Sequence, residues 1–122
     1  MAKYIISAGS NLPDGLHRVE EAIVWLEEIG EIVSMTAIYS TPDSNDSTAA
    51  PYFNAIIIIN YSDSSESLNR LLKSYEEKMG REHGTPQVVI DLDLLAFDGV
   101  ALRPRDLLAP HFLKGLPMLR VK

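Results

Sequence analysis

Apolar residues recur at spacings of three and four in two stretches of this chain, and they alternate or run together in four others. Leu16, Val19, Ala22, Ile23, Leu26 and Ile29 form one stripe and predict a helix running from Pro13. Asn11 stands where an N-cap belongs, Pro13 suits the first turn, and Gly30 stops the run. Leu68, Leu71, Leu72, Tyr75 and Met79 mark a second helix, opened by Asp63-Ser64-Ser65-Glu66 and closed by Gly80. Strands are predicted at 3–8, at 31–40 (Ile32, Ser34, Thr36 and Ile38 alternating), at the isoleucine-rich 52–61, and at 88–97.

The order β-α-β-β-α-β predicts an α+β domain of the ferredoxin-like, split βαβ kind. Four antiparallel strands would carry both helices on one face and leave the other free for a ligand. Residues 41–51, polar and small with Pro at both ends, read as a long loop of the sort that usually serves function. A short C-terminal extension follows the last strand. It turns at Asp98-Gly99, starts a short helix at Arg103-Pro104-Arg105-Asp106 and continues through Ala109-Pro110-His111.

Within the last predicted strand, Asp91 and Asp93 interrupt an otherwise apolar run. Residues two apart in a strand share a face, so both carboxylates project side by side from a greasy element. Two unpaired negative charges there are costly, and something positive must sit beside them. Mg²⁺ suits such a pair, because it takes one or two carboxylates plus substrate phosphate oxygens. The plainer alternative is a strand end at the surface, with both Asp solvated or paired to arginines.

A chain of 122 residues fits a single domain, 1–122. Its net charge of −6 lacks the basic footprint of a nucleic-acid binder, yet one nucleotide needs only a local positive cluster. No run approaches a membrane span, the N-terminus has no long apolar signal region, and there is no cysteine. The expectation is a cytoplasmic protein that binds neither nucleic acid nor a membrane.

Three segments resemble the hydroxymethyldihydropterin pyrophosphokinases of folate synthesis. They are Ala8-Gly9-Ser10-Asn11-Leu12; Tyr39-Ser40-Thr41-Pro42 with Tyr52-Phe53-Asn54-Ala55; and Gly80-Arg81 with Ile90-Asp91-Leu92-Asp93-Leu94-Leu95 and Pro110-His111. The resemblance implies diphosphate transfer from ATP to 6-hydroxymethyl-7,8-dihydropterin, with release of AMP, by a monomeric enzyme. It implies Mg²⁺ on Asp91 and Asp93, two ions when ATP is bound. It places Glu76, Arg81 and His111 near ATP, and Thr41, Pro42, Tyr52, Phe53 and Asn54 around the pterin, with Arg81, Asp91 and Asp93 carrying the catalysis. An asparagine offers the donor and acceptor that a pterin edge needs.

The chain also departs from that pattern. Val88 stands where the family has an arginine three residues before the first aspartate, and His83 stands where another arginine is common. The only tryptophan is Trp25, on the first helix. Phe112, Lys114 and Arg120 are the residues after His111 that offer a replacement aromatic face or positive charge. Three readings follow: a divergent active enzyme, a module that binds pterin or ATP without efficient turnover, and another nucleotide-dependent transfer on the same scaffold.

Overall fold

The computed structural model describes residues 2–42, 50–82 and 84–121. Residues 43–49 of the expected polar loop, and His83, lie outside them. The elements are β1 (Ala2–Ser10), α1 (Gly15–Ile29), β2 (Glu31–Met35), β3 (Tyr39–Thr41), β4 (Tyr52–Tyr61), α2 (Ser65–Lys78), β5 (Asp91–Phe97), β6 (Val100–Ala101), α3 (Pro104–Leu107), α4 (Pro110–Gly115) and β7 (Arg120–Val121). The four long strands stand in the order β5-β1-β4-β2, each antiparallel to its neighbours. The ferredoxin-like α+β arrangement is therefore present, widened by β6 at one edge and β7 at the other. No helix among the described residues is long and apolar enough to cross a membrane.

Alternation along the strands sorts the two faces. Ala55, Ile57, Ile59 and Tyr61 of β4, with Leu92 and Leu94 of β5, join one core with Val19, Ala22 and Leu26 of α1 and Leu68, Leu72 and Tyr75 of α2. Trp25 stacks on Tyr75 at 4.4 Å between ring centroids, joining the two helices. On the opposite face a smaller core of Ile56, Leu95 and Phe112 seats α4 on the sheet. That face also carries Asn54, Asp91 and Asp93.

Several local expectations are corrected. Asn11 does not cap α1; Asp14 occupies that position without a side-chain bond, and Asn11 is engaged elsewhere. Leu16 and Leu71 are exposed, so the apolar stripes are narrower than the spacing suggested. The expected strand 31–40 is two strands. Met35 pairs with Ile57 but Tyr39 with Asn54, four steps against three, so the ladder slips by a residue between them. Thr36 spans the slip: its N–H and Oγ1 hold the Ile56 carbonyl and N–H, each at 3.0 Å. The last long strand begins at Asp91 rather than 88, because Val88 is held by Asn11 instead of a ladder.

Candidate active site

β1, β4 and β5 pair so that Gly9 lies between Asp91 and Asn54, and Ser7 between Asp93 and Ile56. The side chains of these residues share the face opposite the helices. A cleft of about 270 Å³ opens there, lined by Ser7, Gly9, Thr41, Pro42, Tyr52, Asn54, Asp91, Asp93, Arg103, Asp106 and His111 among others. Gly9 keeps its floor flat, since a Cβ there would approach the Asn54 Oδ1 to 3.3 Å. Asn54 is buried and donates from Nδ2 to the Thr41 hydroxyl at 2.6 Å, which fixes both side chains.

Of the residues expected around a pterin, Thr41, Pro42, Tyr52 and Asn54 line this cleft. Phe53 does not. It points to the helix side and packs against the main core, where a Cβ on Gly15 would meet its ring. Neighbouring positions in a strand face opposite ways, so only one of Tyr52 and Phe53 could reach the ligand face.

A second cleft of about 430 Å³ lies round the edge of β5, lined by Lys73, Glu76, Glu77, Arg81, Asp91, Asp93 and Arg103. The two clefts share Asp91, Asp93 and Arg103. Glu76 and Arg81 therefore meet the carboxylates from the second cleft, whereas His111 lines the first, with Thr41 and Asn54. His111 is placed there by α4. The Tyr39 hydroxyl donates to the His111 carbonyl at 2.8 Å, and Lys114 Nζ donates to the Ser40 carbonyl at 2.8 Å. Gly115 allows the approach, since any Cβ there would strike the Tyr39 ring. Burial pushes the Tyr39 hydroxyl up to about 12, so it stays a donor.

The positive charge that two carboxylates demand comes from both sides. Arg81 Nη1 reaches Asp91 Oδ1 at 3.1 Å, and Asp93 Oδ1 receives Arg103 Nη1 at 2.8 Å and Lys73 Nζ at 3.4 Å. Burial and the neighbouring Asp91 push Asp93 up to about 6, against the pull of Lys73 and Arg103. Burial opposes ionisation of Asp91 as well. The hydrogen bond with Asp93 and the Arg81 guanidinium outweigh it and hold Asp91 below the usual carboxylate range.

On its outer edge β5 has no partner strand beside Leu92 among the described residues, and α2 supplies the missing groups. Glu76 Oε2 accepts the Leu92 N–H at 2.6 Å, and Lys73 Nζ donates to the Leu92 carbonyl at 2.9 Å. Arg81 adds a bond to the Ile90 carbonyl at 3.2 Å. Burial raises the Glu76 carboxyl; the Leu92 amide and Lys73 only partly offset this. The segment entering β5 is held by Asn11, whose Oδ1 accepts from Val88 N at 2.6 Å and whose Nδ2 donates to the Pro86 carbonyl at 2.7 Å.

The family model for 7,8-dihydro-6-hydroxymethylpterin-pyrophosphokinase (HPPK) matches residues 5–118. The chain belongs to this family. Among curated HPPK relatives, the 2-amino-4-hydroxy-6-hydroxymethyldihydropteridine pyrophosphokinase of Helicobacter pylori is 29% identical over 117 residues, covering 89% of this chain and 71% of the relative. The protein of the same name from Methylorubrum extorquens is 28% identical over 115 residues, covering 91% of this chain and 73% of the relative.

Among the described residues no three His, Cys, Asp or Glu side chains gather as a metal cage. What the site could offer a cation is the Asp91–Asp93 pair, where burial and the neighbouring Asp91 already press on Asp93. Such a pair fits an ion that completes its shell with phosphate and water oxygens, as Mg²⁺ does. Three residues at this HPPK site escaped the sequence reading: Lys73, Arg103 and Asp106. The signal for Arg103 was the Asp98-Gly99 hairpin. With Phe97 paired to Val100 and Ala96 to Ala101, the returning chain brings residue 103 back beside the aspartates. Phe112, Lys114 and Arg120 do not line either cleft; Phe112 is core, and Arg120 bonds the carbonyls of Pro117 and Leu119.

Proposed function

We propose that this chain transfers diphosphate from ATP to 6-hydroxymethyl-7,8-dihydropterin at the meeting point of the two clefts, releasing AMP. The observation that carries this reading is that Asp91 and Asp93 line both clefts, so one carboxylate pair faces a donor site and an acceptor site at once. Family membership supplies the reaction; the geometry supports its layout. The acceptor's hydroxymethyl oxygen bonds to the β-phosphorus while the bond from that phosphorus to the α-phosphate's bridging oxygen breaks. AMP leaves with the electron pair, and the hydroxyl proton passes to solvent.

Each side chain then has a task. Asn54 and Thr41 hold the polar edge of the pterin between Tyr52 and Pro42, with His111 at the rim. Arg81 faces the nucleotide phosphates. Glu76, nearly fully buried and bonded to Leu92 and Lys73, acts by fixing the strand that aims the aspartates rather than by touching the nucleotide. Asp91 and Asp93 would hold Mg²⁺, which when bound would supply charge neutralisation on the phosphate oxygens. ATP and the pterin are the partners of this reading, and a cytoplasmic setting accords with a chain that has no cysteine.

The test is an end-point assay by mass spectrometry with ATP, Mg²⁺ and 6-hydroxymethyl-7,8-dihydropterin. Pterin diphosphate and AMP in equal amounts, lost when Mg²⁺ is omitted, are the expected result. Folded protein that binds ATP or pterin yet yields no AMP would overturn it in favour of a binding module.

A further inference from the structure

Arg103 is the one lysine or arginine that lines both clefts among the described residues. It stands half exposed at their boundary, with Nη1 on Asp93 Oδ1 at 2.8 Å and Nε on Asp106 Oδ2 at 2.5 Å. Of the two clefts, Lys73 and Arg81 border the donor-side one alone, and each is also tied to a backbone carbonyl, Lys73 to that of Leu92 in β5 and Arg81 to that of Ile90 just before it. The Arg103 side chain makes no such structural bond. Among the described residues, its side chain binds two carboxylates, Asp93 and Asp106.

A group passing from one cleft to the other must cross the boundary that Asp91, Asp93 and Arg103 form. Arg103 also engages Asp93 through Oδ1, and Asp93 is one of the two carboxylates that would hold a divalent ion. Its guanidinium is a planar fork suited to phosphate as well as carboxylate. On the reading given under Proposed function, we infer that Arg103 is an exchangeable counter-ion. Without nucleotide it neutralises Asp93, and with metal and ATP it leaves Asp93 and binds the transferring phosphates while Asp106 keeps it at the boundary. Arg103 would then be a phosphate-binding residue of the reaction, and Asp106 a positioning residue.

This exchange has a signature that a structural arginine lacks, because removing Arg103 must act in opposite directions on two ligands. Mg²⁺ alone competes with Arg103 for Asp93, so Arg103→Ala should tighten Mg²⁺ binding by about 3- to 10-fold. The α,β-methylene analogue of ATP, with saturating Mg²⁺, should bind about 10-fold more weakly to the same variant, as expected for loss of one charged contact to phosphate. Turnover should fall by about 10²-fold or more, with the pterin KM little changed. Arg103→Lys should restore part of the analogue's affinity, and Asp106→Asn should weaken the analogue while leaving Mg²⁺ alone nearly unaffected. Isothermal titration of the full chain reads each affinity, with urea unfolding to confirm that the variants fold. Changes of the same sign for both ligands, or no change in either, would overturn the inference. Failure of the unsubstituted protein to bind Mg²⁺ or the analogue would instead overturn the functional reading on which it rests.

Discussion

Glu76 accepts the amide of Leu92 at 2.6 Å from a position three residues after Lys73, which donates to the carbonyl of that same Leu92. One residue of an edge strand thus has both outward backbone groups satisfied by one turn of α2. Because Leu92 sits between Asp91 and Asp93, this pair sets where both carboxylates point.

Replacing Glu76 by Ala should therefore cost about 2–3 kcal/mol of stability, since it strands a buried amide and leaves Lys73 without the nearer of its two carboxylates. Glu76→Gln keeps an acceptor and removes a charge that burial disfavours, so its cost should stay below about 1 kcal/mol. Urea midpoints would separate the two. An Ala variant as stable as the Gln variant would contradict the role given to this bond.

Asp93 supplies a dependence on pH. Its folded-state pKa of about 6 lies above the ordinary 3.8, so its contribution to the stability of the metal-free protein is complete below about pH 4 and is lost as pH rises through 6. Asp93→Asn removes that loss. The stability difference, unsubstituted minus variant, should decline between pH 4 and pH 7 in thermal melts without divalent metal. A difference that rises with pH would mean that Lys73 and Arg103 dominate the burial and the Asp91 charge.

Metal dependence can be tested at the same position. Chelating Mg²⁺, or changing Asp93 to Ala, should each abolish turnover, and added Mg²⁺ should raise the melting temperature of the unsubstituted protein but not of the variant. Substantial residual activity in the variant would remove Asp93 from the metal site.

On the acceptor side, Asn54→Ala breaks the bond to Thr41 and removes the paired donor and acceptor from the cleft. The pterin KM should rise about 10-fold or more, equivalent to roughly 1.4 kcal/mol, with little effect on the KM for ATP. Equal effects on both substrates would point to a general loss of the cleft's shape.

Asn11→Ala should act locally. The change frees Val88 N and the Pro86 carbonyl, so exchange of the Val88 amide should accelerate while amides in β1 and β4 keep their protection. Uniform acceleration would show that Asn11 supports the whole fold rather than the entry to β5.

The order of the main strands and helices along the chain, and the shared face of Asp91 and Asp93, are legible because each rests on local periodicity. Tyr52–Tyr61 is the clearest case, an isoleucine-rich run with bounds read correctly. Glu31–Met35 and Tyr39–Thr41 were merged because their alternation looks continuous, whereas the slip depends on Thr36 finding both groups of Ile56 twenty residues away. The role of Asn11 is hidden from the local sequence for a similar reason. An asparagine before a helix can cap it, but here a loop 75 residues further on competes for the same side chain and wins. Site residues carried by motif landed on the ligand face where strand parity allowed, as Thr41 and Asn54 did, and Phe53 landed on the other. Charges from the extension were harder to see. Arg103 becomes a neighbour of Asp93 only through the hairpin at Asp98-Gly99, where both residues adopt positive φ, 45° and 81°.

A strand edge with free amides and carbonyls invites strands of other chains to add to it, and β5 presents such an edge alongside the residues that matter most. At Leu92 the place is taken: one lysine and one glutamate occupy the donor and acceptor that an incoming strand would need. Their charges also stand where its backbone would lie. The pair that aims the two aspartates thereby guards the protein against edge-to-edge aggregation.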